Sequence, residues 1–352
     1  MVYYQLIFNF LSHHSDLKEE LIKLKQDIDG LPLNDGDEVI LYATVEKLSG
    51  FDKNNCHTAL EMIEEYMRSI GCKYNYIFHP TGKSLIEKKQ DNFHFFDTWA
   101  MATYRHCKNH YNKFWNPDTK KALFLVGKPF KIQRIGLLNN FYKNNLMDYL
   151  HYSLYCPPRR ENVDKIKDLN LSDLTEDYQI NKLLIDINKP SLDVNYEECH
   201  TTNVFEYRGF PTNLTYFKNT SLSIVSETYL TYTNDATIMP YVTEKFYRAV
   251  ANNHPFITLG DSFYDEHLES IGYKTFNEFF LPKPKFRNDI RYVQWVTNSV
   301  KHFLDNAVKN KLAIEQIVNH NHKIFTKQVE AEIAHFNKHN IDILKFANHL
   351  RL

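Results

Sequence analysis

The chain has 352 residues, of which 43% are hydrophobic and 24% charged, with a formal net charge of −1. That balance excludes a disordered or fibrous protein and leaves room for two domains, each able to bury a core. It also excludes a global basic field, so a nucleic-acid partner would have to be met by local clusters such as Arg159-Arg160 or Lys283, Lys285 and Arg287.

In chain order, the opening MVYYQLIFNFLSHH is apolar but lacks a basic leading segment and a small-residue cleavage site. It reads as a first strand over 2–10. Leu17, Leu21, Ile22 and Leu24 have helical spacing within 16–27, and EVILYATV at 38–45 reads as a strand. An amphipathic helix follows over 57–70, with Leu60, Ile63, Met67 and Ile70 on one side and Gly71 closing it. A strand at 74–78 comes next. Asn116-Pro117-Asp118 is a turn signal and marks a domain boundary. A second series then begins, with a strand at 121–126 and a helix at 131–145. A polar, acidic middle over about 160–200 reads as loops and short helices. Beyond it come a strand at 221–226, a helix at 244–252 and a strand at 255–259. From Asn288 onward the pattern is helical, through Tyr292, Trp295, Val296, Val300, Phe303 and Leu304 and later Ile314, Ile317 and Ile324.

Alternation of strands and helices predicts an α/β protein with parallel sheets. The expected division is 1–117, 118–305 and a helical segment at 306–352. No stretch holds 18 consecutive apolar residues, so no transmembrane helix is expected. Cys56, Cys72, Cys107, Cys156 and Cys199 are odd in number and contain no CxxC pair. That usage points to a reducing, cytoplasmic setting and away from a structural zinc.

The most informative stretch is 223–260, SIVSETYLTYTNDATIMPYVTEKFYRAVANNHPFITLG. An apolar run ends in Glu227, a polar loop follows, and Tyr241, Thr243, Glu244 and Lys245 open a helix ahead of a second apolar run ending in Gly260. In an α/β sheet such a strand–loop–helix unit holds ligands at the carboxyl ends of the strands. Thr243 is a good N-cap. Free N–H groups and the positive end of the helix dipole favour an anion there, and Lys245 adds a mobile positive charge. A diphosphate is a sensible ligand. The same residues also fit an ordinary capped helix with a solvated Glu–Lys pair. Lys128, Lys131 and Arg134 place three cations near the start of the 131–145 helix, either a second phosphate clamp or a solvated basic face.

PYVTEKF at 240–246, after SET at 226–228, resembles the donor-site signature of the α1,3-fucosyltransferases. NHPFITLGDSFYDEHLESIGYKTF at 253–276 and KALFLVGKPFKIQRIGLLNNFYKNNLMDY at 121–149 are similar to fucosyltransferase-like glycosyltransferases common in phage and bacteria. The resemblance covers roughly 118–280. It implies a GT-B-like fold, with two Rossmann-like domains facing a cleft and a C-terminal helical segment. It further implies transfer of a sugar from a nucleotide-diphosphate donor, inverting and without metal, with the donor as co-substrate and no other cofactor. On this reading Arg134, Glu227, Tyr241, Thr243, Glu244 and Lys245 bind the donor. Glu244 takes the ribose or holds the lysine, and Tyr241 meets a phosphate or ring.

The first 117 residues share no such likeness, and the acceptor, a glycan or a modified base in phage DNA, is left open. The general base is expected from that half, with His94, Asp97 and Glu46 as candidates and His13 and His14 as further options. A catalytically inactive GT-B-like module that binds a nucleotide sugar or a glycan is the competing reading. Three motifs carry no function. HPTGKS at 79–84 has Ile77 where a phosphate loop needs glycine, Asp27-Ile28-Asp29 falls at a helix end, and the sequons at Asn213 and Asn219 are irrelevant inside a cell.

Overall fold

The computed structural model describes residues 3–8, 17–34, 37–43, 53–78, 92–107, 111–126, 132–154, 214–227, 240, 242–260, 263–284 and 290–343. Two compact units divide the chain. The first holds Met1–Thr98 with Thr233–Tyr241 and Asp342–Phe346, and the second holds Trp99–Tyr232, Val242–Ile341 and Ala347–Leu352.

In the first unit, β1 (Tyr3–Phe8), α1 (Leu17–Asp29), β2 (Glu38–Ala43), α2 (Lys53–Ser69), β3 (Lys73–Phe78) and β4 (Phe93–Phe95) follow one another. The strands are all parallel and lie in the order β1-β2-β3-β4. Val39, Ile40, Leu41 and Tyr42 are all buried, the near-continuous apolar run expected of a parallel strand covered on both faces. Ile63 and Met67 of α2 face this core, whereas Ile70 is 40% exposed. The helix has ended at Ser69, and Gly71 turns the chain away with φ 66°.

From Trp99 onward α3 (Thr98–Cys107) belongs to the second unit, and its Tyr104 ring lies 6.3 Å from that of Phe325. The Asn116-Pro117-Asp118 turn lies inside this unit, with Asp118 N donating to Asn116 Oδ1 at 3.0 Å. Then come β5 (Ala122–Val126), α4 (Ile132–Lys143), β6 (Leu150–Leu154), α5 (Leu214–Lys218), β7 (Leu222–Ser226), α6 (Glu244–Ala251), β8 (Phe256–Leu259), α7 (Tyr264–Ser270), α8 (Ile290–Asn306) and α9 (Lys311–Lys338). Its sheet is also all parallel, in the order β6-β5-β7-β8. α8 packs on α4 and α9 on α6. Phe246, Phe256, Tyr273 and Phe276 meet edge to face in the core beneath α6.

Five of the described helices end in the same way. After α2, α4, α6, α7 and α9 a residue with positive φ follows the cap, namely Gly71, Asn145, Asn253, Gly272 and Asn340. The next residue then donates five positions back, as Ile341 N does to Phe336 O at 3.0 Å and His254 N does to Ala249 O at 2.9 Å. This double-bonded close is the Schellman motif, and asparagine is the commonest substitute for glycine at its left-handed position.

Behind α6, His254 is a structural histidine. Its Nε2 donates to the Thr220 carbonyl at 2.8 Å, so Nδ1 accepts from Ser223 Oγ at 2.8 Å. Burial lowers its pKa to about 4. An unfolded chain takes up this proton near pH 6.5 and the folded chain only near 4. Between those values the unfolded state holds more protons, so stability falls as pH falls. Comparing urea unfolding at pH 7 and pH 5, the wild type is expected to lose about 2 kcal/mol more than His254→Gln. Equal losses would show that His254 titrates normally. No helix among the described residues is long and apolar enough to cross a membrane.

Candidate functional site

Strand order locates the site. In the second unit β5 is followed in sequence by β6 on one side and, after the long connection, by β7 on the other. The crevice at the carboxyl ends of two strands where winding reverses is the place where open α/β sheets bind ligands. Here those strands are β5 and β7. Their ladder holds only Ala122↔Leu222 and Leu123↔Ser223. Leu123, Leu125, Phe217 and Val225 line a pocket between them, and Lys245 and Arg248 reach its wall. The described strands of the first unit run in sequence order and contain no such reversal.

Glu227 follows β7 directly and is 2% exposed. Its Oε1 accepts from Thr243 N at 3.1 Å and from Tyr264 Oη at 2.6 Å, and its Oε2 accepts from Thr243 Oγ1 at 2.5 Å. One carboxylate thereby ties the end of β7 to the starts of α6 and α7. Burial raises the carboxyl pKa, with Lys245 and the Thr243 and Tyr264 hydroxyls pulling the other way. Burial, then the Glu227 charge, raises the Tyr264 phenol well above its ordinary value.

Thr243 caps α6 with extended backbone and accepts from Lys245 N. Lys245 folds back over this cap. Its Nζ donates to Thr243 Oγ1 at 3.0 Å and to Glu244 Oε1 at 2.8 Å, and it lies 3.9 Å from Glu227 Oε2. Glu244 also lies 3.5 Å from Arg248 Nη2, one turn further along α6. Burial alone would raise the Glu244 carboxyl, but Lys245 and Arg248 together hold it below the usual carboxylate value. Arg134 enters from the first turn of α4, 3% exposed, and its Nη2 donates to the Ser226 carbonyl at 3.2 Å. Next to it, Gln133 Nε2 donates to the Glu227 carbonyl at 3.2 Å. Burial lowers the pKa of both guanidiniums, against the pull of the two glutamates.

Arg134, Glu227, Thr243, Glu244 and Lys245 are therefore brought together at one sheet edge, while Tyr241, Lys128 and Lys131 lie outside the described residues. Arg248, Tyr264 and Gln133 join them without having been singled out in the sequence. Arg248 was accessible through its i, i+4 spacing from Glu244; Tyr264 and Gln133 had no local signal. Among the described residues, Arg134, Lys245 and Arg248 meet Glu227 and Glu244 in this cluster, all but Lys245 buried. Cationic side chains gathered at the carboxyl edge beside a helix amino end suit an anion.

Of the candidate bases, Glu46, His13 and His14 lie outside the described residues. His94 and Asp97 are buried in the first unit, at 1% and 3% exposure. Asn75 Nδ2 donates to Glu38 Oε1, so Asn75 Oδ1 must accept, and His94 Nε2, 3.0 Å away, carries the proton. Asp27 and Asp29 close α1, where Asp29 accepts from Tyr66 Oη, as befits a helix end. No family model, no curated protein and no solved structure matches the chain.

Proposed function

We propose that the second unit binds the diphosphate of a nucleotide-sugar donor at the β5/β7 switch point, and that the protein is a glycosyltransferase of GT-B type. The observation that supports this reading is the gathering of Arg134, Lys245 and Arg248 at the carboxyl edge, beside the capped amino end of α6. A departing nucleoside diphosphate gains negative charge as the sugar bond breaks, and preorganised cations stabilise that charge most in the transition state. Lys245 is the cation best able to follow the charge, being partly exposed on a flexible stem. Glu244 holds it ready, and Glu227 fixes the loop. These cations do the work that a divalent metal does in other transferases, so transfer is metal-independent. The first unit, in this reading, presents the acceptor, a glycan or a modified DNA base. His94 or Asp97 is then the described group that takes its proton, in an inverting displacement.

A thermal-shift screen of nucleoside diphosphates and their sugar conjugates, with and without EDTA, tests the reading. Binding to the folded state raises its apparent stability by RT ln(1 + [L]/Kd), so a rise of several degrees with one nucleotide series is expected, unchanged by EDTA. Donor hydrolysis in the same buffers separates an enzyme from a binding module of the same fold. The absence of any shift across the series would overturn the proposal.

A further inference from the structure

The closing turn of α9 carries a pair of imidazoles that the donor site does not use. His335 and His339 are four residues apart, so the helix stacks them on one side. Their ring centroids lie 4.7 Å apart with the planes inclined at 48°, and ring nitrogens of the two come within 4.8 Å of one another. Both side chains are exposed. The turn that presents them is fixed from beneath. Asn340 has φ 57°, Asn340 N donates to Asn337 O at 3.1 Å and Ile341 N to Phe336 O at 3.0 Å. Phe336 and Ile341 are buried at 0% and 1% exposure. The pair therefore sits on a preorganised scaffold instead of a fraying helix end.

We propose that His335 and His339 bind a divalent transition cation of the zinc, nickel or copper class. Imidazole nitrogens are borderline-soft ligands that prefer these ions to magnesium or calcium. A tetrahedral ion about 2.0–2.1 Å from each nitrogen needs the two nitrogens about 3.4 Å apart, which exposed side chains reach by small torsional adjustments. The bound ion cross-links successive turns and stabilises the end of α9. The inference rests on the geometry of this pair and not on the transfer reading, so it is tested separately.

Metal-stripped full-length chain titrated calorimetrically with Zn²⁺, and separately with Mg²⁺, provides the test. One zinc site is expected, with no magnesium counterpart. Its affinity should fall roughly tenfold or more in both His335→Asn and His339→Asn, because each removes a ligand. Zinc should also raise the melting temperature of the wild type and of neither variant. Both residues are exposed, so the variants are expected to fold, and far-ultraviolet circular dichroism checks this. A chain that takes up no zinc overturns the proposal, as does either variant keeping wild-type affinity, which would assign the ion to other histidines.

Discussion

Glu227→Ala is expected to destabilise the second unit by about 3–5 kcal/mol, the largest effect of any single change at the site. The carboxylate is buried and accepts from the Thr243 backbone N–H, the Thr243 hydroxyl and the Tyr264 hydroxyl. Alanine would leave these three donors in a space that excludes water, and would remove a negative charge 3.9 Å from Lys245 Nζ. Each orphaned donor costs about 1–3 kcal/mol, partly relieved by local relaxation. Glu227→Gln keeps the volume and one acceptor oxygen, and the Thr243 hydroxyl can rotate to accept from the new amide. It is expected to cost about 1–2 kcal/mol. Equilibrium urea unfolding followed by near-ultraviolet circular dichroism measures both. If alanine costs no more than glutamine, Glu227 is solvated and does not tie β7 to α6 and α7.

Much of this arrangement is written locally. The apolar runs at β2, β5, β7 and β8 are visible because a buried parallel strand needs no polar alternation, and Thr243 announces the start of α6. Gly71 announces the end of α2. Asn145, Asn253 and Asn340 make the same left-handed turn after α4, α6 and α9, yet asparagine is so common in this chain that it gives no comparable signal. β4 and β6 escape sequence reading for a different reason. FHF is three residues long, and LHYSL mixes polar and aromatic residues in a strand at one edge of its sheet. Both are strands because a neighbour offers hydrogen bonds, which no local propensity records. The switch point depends on this missing information. Without β6 beside β5 there is no reversal of winding, and Glu227 and Arg134 are only two charged residues 93 positions apart in the chain. The clustering of Arg134, Arg248 and Tyr264 around Glu227 follows from strand order. The capping interaction of Thr243 with Lys245 follows from adjacent letters.

Lys245→Ala is expected to lower the rate of donor turnover by about 10²–10³ while leaving the fold intact, if the proposed role in neutralising the leaving diphosphate holds. The fold survives because each partner of Lys245 keeps another. Glu244 retains Arg248 at 3.5 Å, and Glu227 retains its bonds from Thr243 and Tyr264. Removing a partly exposed lysine from such a network should cost about 1 kcal/mol or less of stability. Lys245→Arg keeps the charge but replaces a mobile point charge with a planar fork, so intermediate turnover is expected. A third substitution separates two roles for the neighbouring acid. If Glu244 only holds the lysine, Glu244→Gln releases Lys245 and removes a nearby negative charge, and a nucleoside diphosphate should bind more tightly. If Glu244 also accepts from the ribose, the same change should weaken binding of the nucleotide while leaving pyrophosphate unaffected. Isothermal titration of the three variants with both ligands, alongside donor-hydrolysis rates, reads out all of these outcomes. Near-wild-type turnover in Lys245→Ala would remove the lysine from the chemistry and leave α6 as a capped helix with a well-ordered ion pair.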